Sequence, residues 1–338
     1  MKIAIVGAGA IGGFLGTRLA ATGVHQVSAV ARGATLQALR THGWRLQGSA
    51  GLLQAPAHAV QDPAELGPQD LVIIAVKGPA LAAVAAQIAP LLGPATTVLP
   101  AMNGVPWWFC QGLAGPVAGR NLQSVDPGGH IAQAIPRDRV LGCVVHASTA
   151  TPEPGLVRHV MGQGLIIGEP AGGSDALSSA RVLAVQQALQ QAGFDCTVSP
   201  QIQRDIWYKL WGNLTTNPVS ALTGATVDRI LADPLVRRFC TDAMDEARAI
   251  GARIGCPIEQ TPAERHQITA KLGAFKTSML QDAEAGRGLE LDSIVAAVRE
   301  LGSAVDCPTP TIDALFGLAR LFGRVHGLYP EEPGTASP

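Results

Sequence analysis

The chain has 338 residues, which at the usual ~150 residues per domain predicts about two domains. Lys and Arg total 25 against 26 Asp and Glu, a formal balance of −1 that argues against nucleic acid as the main partner, because phosphate binding is driven by clustered cationic charge. With 47% hydrophobic and only 15% charged residues, the composition is far from that of disorder and supports a sizeable core. Cys110, Cys143, Cys196, Cys240, Cys256 and Cys307 form no CxxC pair and no metal-ligand spacing, so they read as buried small hydrophobes in a reducing cytosol, with no metal expected. The uncharged run from Gly78 to Gly119 is cut by six prolines, from Pro79 to Pro116, and cannot be one membrane-spanning helix. Met1-Lys2 and the apolar run behind it superficially resemble a short secretory signal, but glycines at turn positions make this folded structure.

Ile3-Ala4-Ile5-Val6 has the pattern of a strand buried on both faces of a parallel sheet. Gly7-Ala8-Gly9-Ala10-Ile11-Gly12 follows at once, and Phe14, Leu15, Leu19 and Ala20 then recur at helical spacing. A strand, a tight glycine turn and a helix make a dinucleotide site. The first glycine permits the turn, the second lets backbone approach a pyrophosphate, and the third allows close helix–strand packing. The second strand, His25 to Ala31, ends without the carboxylate that would hold a ribose 2′-hydroxyl. Arg32 stands there instead and suits a 2′-phosphate, which predicts NADP(H). A third strand, Leu71 to Val76, ends in Lys77. An Ala/Leu-rich helix to about Leu92 and a strand Thr96–Pro100 lead to the turn Asn103-Gly104. Lys77 and Asn103 both fall beyond the carboxyl ends of strands, where ligands collect in open α/β sheets, although a strand-end lysine and an Asn-Gly turn are also common structural features.

Between Val140 and Glu169, β-rich runs with Gly/Pro punctuation predict antiparallel strands extending the sheet. A helix from about Asp175 to Gln191 and a strand Asp195–Val198 close the first domain near Pro200. Beyond it the periodicity is helical nearly to the end, so the fold class is α/β, a Rossmann-type dinucleotide-binding domain over 1–200 followed by an all-α domain over 201–328. The Pro/Gly-rich 329–338 reads as a disordered tail.

In the helical half, Lys209, Asn213 and Asn217 are four residues apart on one helix face, flanked by Leu210, Trp211 and Leu214. A cation and two carboxamides in so apolar a setting need partners if buried. Pro218 forbids a regular continuation. A second segment, Lys276 to Asp282, is followed by Gly286-Arg287-Gly288-Leu289-Glu290-Leu291-Asp292. Glu290 and Asp292 suit the start of a helix, which leaves Ser278 unexplained.

Taken in order, Gly7-x-Gly9-x-x-Gly12, Arg32-Gly33, Ala75-Val76-Lys77, Asn103-Gly104, Lys209-x-x-x-Asn213-x-x-x-Asn217-Pro218, Ser278-Met279-x-x-Asp282 and Gly286-Arg287-x-x-Glu290-x-Asp292 resemble the ketopantoate reductase family over nearly the whole chain. The resemblance implies a helical domain like the C-terminal domain of 6-phosphogluconate dehydrogenase and an active site in the cleft between the domains. It implies NADPH-dependent reduction of 2-dehydropantoate to pantoate in pantothenate biosynthesis, in the cytoplasm. Lys209 would be the general acid and Glu290 a second catalytic residue, while Asn213, Asn217, Ser278 and Glu290, with Asn103, would hold the substrate. The glycine turn from Gly7 to Gly12, with Arg32, Lys77, Asn103 and Glu290, would bind the cofactor. The chain departs from the simplest members at Met102 and at Trp107-Trp108, a pair that either reshapes the acyl pocket or belongs to the core. Two alternatives stay open: reduction of another 2-oxo acid or an imino acid, and a non-catalytic NADP(H)-sensing regulator. The expected partner is a small 2-oxo acid, with neither nucleic acid nor membrane; a homodimer is compatible with such helical domains, and no heptad seam fixes one.

Overall fold

The computed structural model describes residues 1–173 and 177–331. They divide into two compact units, one built from Met1–Asn103, Trp107–Gly112 and Asp126–Asp205, the other from Gly104–Pro106, Leu113–Val125 and the chain from Ile206 onward.

The first unit opens with β1 (Lys2–Val6), α1 (Ala10–Ala21), β2 (Gln26–Val30), α2 (Gly33–His42), β3 (Trp44–Gly48), β4 (Gly51–Ala55), β5 (His58–Val60) and β6 (Gln69–Ile74). It continues with α3 (Leu81–Ala85), β7 (Leu92–Pro100), α4 (His130–Ala134), β8 (Gly142–Glu153), β9 (Leu156–Gly168), α5 (Ala180–Gln191) and β10 (Asp195–Val198). Its first sheet is five-stranded and parallel, in the order β5-β2-β1-β6-β7. The chain builds outward from β1 on one side, then returns to lay β6 on the other. The end of β1 is therefore the topological switch point at which α/β sheets open a ligand crevice.

Two expectations for this unit need correction. The Ala/Leu-rich stretch after Lys77 is not one helix, because Pro79 and Pro90 sit in the 3-10 turns Gly78–Ala80 and Ala89–Leu91 and leave α3 only Leu81–Ala85 between them. The β8–β9 pair is antiparallel as predicted, but it does not extend the parallel sheet; with β3, β4 and β10 it forms a second one. A parallel bridge between Val98 and Val140 connects the two. The reason lies in α1, which has a sheet on either side. Gly13 lies against Val157 and Gly16 against the Trp44 ring, each so close that a Cβ would stand 2.5 Å from its neighbour. Phe14 stacks on His159 at 4.7 Å and meets Phe194 edge-on at 5.2 Å. Of the two readings open for Trp107 and Trp108, the core one holds: each is 1% exposed, with the Trp107 indole donating to the Ile135 carbonyl. The helix expected from Asp175 starts at Ala180, Asp175 itself being outside the described residues. All six cysteines are buried and free, and burial pushes the Cys196 thiol up to about 12 and that of Cys240 to about 11.

The second unit is helical: α6 (Ile202–Thr223), which begins in the last residues of the first unit, then α7 (Val227–Ala232), α8 (Pro234–Arg253), α9 (Pro262–Ala270), α10 (Ser278–Glu284), α11 (Ala297–Ala304) and α12 (Pro310–Val325). Contrary to expectation, α6 runs through Pro218. Pro218 has no N–H to give the Leu214 carbonyl, but Val219, Ser220 and Ala221 are all buried, and that packing carries the last turn. Trp211 donates its indole N–H to the Met244 carbonyl at 2.8 Å, tying α6 to α8. Among the described residues no helix is long and apolar enough to cross a membrane.

The segment after α10 contains a π-turn, Asp292–Ala296, that periodicity does not announce. Two other segments grip it. Gly104, at φ +81°, packs against Ser293, whose carbonyl accepts the Val105 N–H at 2.8 Å. From the other side Leu289 donates to the Leu328 carbonyl at 2.9 Å, and the Tyr329 hydroxyl donates to Asp292 Oδ1 at 2.5 Å. Tyr329, expected as the start of a disordered tail, is thus half-buried and anchored, while residues 332–338 lie outside the described residues. Burial pushes the Asp292 carboxyl above its ordinary value and the Tyr329 hydrogen bond opposes that rise. A raised folded-state pKa means that ionising Asp292 costs stability as pH climbs through it, a cost that Tyr329 offsets. Tyr329→Phe should therefore destabilise the fold by about 1–3 kcal/mol at neutral pH. The loss should shrink as pH falls through the raised Asp292 pKa and the carboxyl protonates. Urea unfolding at neutral and at acidic pH checks this, and equal losses at both would refute it.

Candidate active site

The turn after β1 is built by contact. Gly7 has φ +91°, and a Cβ there would stand 2.5 Å from Val76 Cγ1. At Gly12 a Cβ would fall 1.9 Å from the Gly7 carbonyl oxygen, so α1 can approach β1 this closely only with hydrogen at that position. Gly9, the residue before α1, has nothing within 4 Å of a Cβ and faces open space. The first turn of α1 carries no acidic residue, so its positive end is uncompensated. These features suit a pyrophosphate at the helix start, with Ala8, Ala10 and Ile11 completing the turn.

Gly7 and Gly9 line a cavity of about 300 Å³ together with Ala31, Arg32, Thr35, Val76, Val84 and Gln87. Its lining contains no carboxylate. Arg32 precedes α2 and is exposed, with Nη2 3.3 Å from Gln87 Oε1. The cavity belongs entirely to the first unit, and Arg32 is the one charged residue among the described residues of its lining. Lys77 is exposed just past the end of β6, and half-buried Asn103 follows β7, as their strand-end positions predict.

In the second unit α6 displays Lys209 and Asn213, both half-buried, and Asn217, 4% exposed, along one face. Trp207, Leu210 and Trp211 beside them are all buried. The start of α10 is fastened to the same helix. Thr277 caps α10, its hydroxyl accepting the Leu280 N–H at 3.1 Å, and sits 2.9 Å from the hydroxyl of Ser220, one turn beyond Asn217. That buried pair fastens the start of α10, whose first residue is the exposed Ser278, to α6 one turn beyond Asn217. Further along, Asp282 takes the Arg287 guanidinium at 2.9 Å and closes the loop that leads to Glu290, which is 5% exposed just ahead of the π-turn. Asp282 and Arg287, part of the sequence pattern without an assigned task, therefore shape this corner. The predicted residues fall in two groups, the glycine turn, Arg32, Lys77 and Asn103 in the first unit, and Lys209, Asn213, Asn217, Ser278 and Glu290 in the second.

Residues 3–108 match the family model described as ketopantoate reductase PanE/ApbA, and residues 201–322 match its C-terminal counterpart. The 2-dehydropantoate 2-reductase of Mesorhizobium japonicum is 45% identical over 97% of this chain and 100% of its own length. The chain belongs to the ketopantoate reductase family. Membership makes it an oxidoreductase acting on a CH–OH group with a nicotinamide dinucleotide. A Ralstonia solanacearum structure assigned provisionally to the ketopantoate reductases is 57% identical and superposes with a TM-score of 0.91 over 97% of this chain and 99% of that one. D-mandelate dehydrogenase, solved with NADH and anilino(oxo)acetate, shares the fold at a TM-score of 0.81 and 20% identity, with 97% of this chain and 100% of that one covered.

Three features of this ketopantoate reductase relative escape sequence reading: the π-turn, the Tyr329 anchor, and Arg265, which reaches α6 from α9. All depend on contacts between segments far apart in the chain. The glycine turn makes a separable forecast. Gly12→Ala should lower the melting temperature by many degrees, because a methyl cannot share space with the Gly7 carbonyl. Gly9→Ala should leave melting unchanged yet weaken dinucleotide binding by roughly tenfold or more, as its methyl would stand where phosphate approaches. Thermal melts beside fluorescence titrations with NADPH separate the two effects.

Proposed function

We propose that the protein is a cytoplasmic, NADPH-dependent 2-dehydropantoate 2-reductase that makes pantoate for pantothenate synthesis. The observation that carries this reading is the stripe of Lys209, Asn213 and Asn217 with Ser278 fastened beside it through the Ser220–Thr277 pair. When bound, the reduced nicotinamide supplies a hydride to the 2-oxo carbon of the acceptor. The Lys209 ammonium then donates a proton to the developing oxyanion, and its place among buried tryptophans keeps bulk water from competing for that oxygen. Asn213, Asn217 and Ser278 offer donors and acceptors that orient the acid and its hydroxyl-bearing branch, with Asn103 contributing a further carboxamide. Glu290, buried ahead of the π-turn, accepts hydrogen bonds from substrate or ribose hydroxyls.

The preference for NADPH rests on the cavity, which has no carboxylate to hold a free 2′-hydroxyl and has Arg32 at its rim. Lys77, exposed past β6, adds positive charge at that end of the sheet. The reading that this chain reduces another 2-oxo acid draws on the shared fold of D-mandelate dehydrogenase, since one fold serves several acceptors. A sensor without chemistry has no use for the Lys209 stripe.

Steady-state assays on ketopantoate with NADPH and NADH test the reading, with a panel of other 2-oxo acids alongside. Turnover should favour ketopantoate and NADPH; a better acceptor in the panel would replace the substrate, and no turnover at all would leave only the sensor. Lys209→Ala should cut kcat by roughly 10²–10⁴-fold while the NADPH dissociation constant stays within about threefold. Arg32→Ala should raise the KM for NADPH by about 10- to 100-fold and leave that for NADH nearly unchanged, narrowing the preference between the two.

A further inference from the structure

Beyond α12 the chain turns at Gly327 and returns as a short strap, Leu328–Pro330, along the segment that carries Glu290. Leu289 donates its N–H to the Leu328 carbonyl at 2.9 Å, and the Tyr329 hydroxyl donates to Asp292 Oδ1 at 2.5 Å. One contact falls on the residue before Glu290 and the other falls two residues after it, so the strap fastens the chain on both sides of that buried carboxylate. The strap is itself seated on α12. The Leu328 and Tyr329 N–H groups both donate to the Gly323 carbonyl, at 2.6 and 3.1 Å, and Arg324 Nε donates to the Pro330 carbonyl at 3.2 Å. Gly323 leaves it room, since a Cβ there would stand 2.7 Å from Tyr329 Cβ. All of these residues belong to the second unit.

The segment held in this way is poorly suited to fix a carboxylate unaided. Gly286, at φ +64°, and Gly288 precede Glu290, and the π-turn that follows is wound more loosely than an α-helix. A group that meets a ligand loses much of its effect when it is misplaced by an ångström. If Tyr329 served stability alone, a phenylalanine would bury the same ring without drawing a carboxylate out of water. The hydrogen bond adds direction instead. Burial, and then the bond to Asp292, push the Tyr329 hydroxyl above its ordinary pKa, so it stays protonated and donates at physiological pH.

We propose that Tyr329 is a positioning residue for Glu290: acting through Asp292, with the Leu289–Leu328 bond beside it, the C-terminal strap sets the Glu290 carboxylate where it meets the substrate. This rests on the assignment of Glu290 to the substrate site. The far end of the chain then bears on turnover without touching the reacting atoms.

The test is a double-mutant cycle on kcat/KM for ketopantoate, run on the full chain well below the melting temperature of each variant. Glu290→Ala should lose about 100-fold or more. Tyr329→Phe should lose about 5- to 30-fold in the wild-type background, and less than about twofold when added to Glu290→Ala. Asp292→Ala should match Tyr329→Phe and takes its place in the cycle if that variant does not fold. Asp292→Asn, which keeps an oxygen for the Tyr329 hydroxyl, should stay within about threefold of wild type. Equal losses from Tyr329→Phe with and without Glu290 would make the strap a brace indifferent to that carboxylate and overturn the proposal. So would a Tyr329→Phe enzyme as active as wild type; both results leave the reductase reading intact. A Glu290→Ala enzyme with wild-type kcat/KM, or a wild type that turns over no 2-oxo acid, would overturn the substrate-site assignment itself, and the role of Tyr329 with it.

Discussion

The Gly7 carbonyl occupies the place where a side chain at residue 12 would begin, and this contact sets the angle at which α1 leaves β1. With the helix axis fixed there, its first N–H groups open toward Gly9, where backbone is bare. Without that approach the helix would stand off the sheet and its positive end would lose its aim. The second sheet presses on the opposite flank of α1 through Trp44, Val157 and His159, so the helix is set from two directions. The apolar strands supply the cohesion, and the glycines determine its geometry.

The helical unit solves a different problem, which is to keep amide and ammonium groups on a helix embedded in tryptophan. Several side chains of α6 that carry polar groups have a neighbour that restrains them. Ser220 meets Thr277, Thr216 donates to the Gly212 carbonyl at 3.0 Å, and the Trp211 indole is taken by Met244. Buried polar groups held in this way lose little freedom when a ligand arrives. The corner that carries Glu290 is restrained by contacts of three kinds: the Asp282–Arg287 ion pair, the Gly104–Val105 segment and the C-terminal strap.

Much of this was legible in the amino-acid order where the cause is local. A strand, its glycine turn and a helix need only neighbours along the chain, so the range from Lys2 to Ala21 could be read directly, as could the absence of a carboxylate after the second strand. The Lys209 stripe was visible because helical spacing is itself a geometric statement. What could not be read depends on partners distant in sequence. Nothing in Val140–Glu169 says that its strands will pair with Trp44–Gly48 instead of joining the parallel sheet, since hairpin patterns specify a partner within the hairpin and not beyond it. Pro218 was expected to end α6; local propensity loses to burial of the turn that follows. The fate of Trp107 and Trp108 was open for the same reason: bulk reveals that a side chain needs cover, and only the assembled unit shows whether core or ligand provides it.

The confinement of α1 between two sheets also bears on how this scaffold could diversify. A helix with freedom on one flank can drift and let the groups around it be re-tuned; one wedged by Gly12 on the β1 flank and by Gly13 and Gly16 on the other has nowhere to go. The cavity wall that carries Arg32, Thr35 and Gln87 has no such clamp, Arg32 and Gln87 being exposed, so side chains can be exchanged there while the glycine turn is kept.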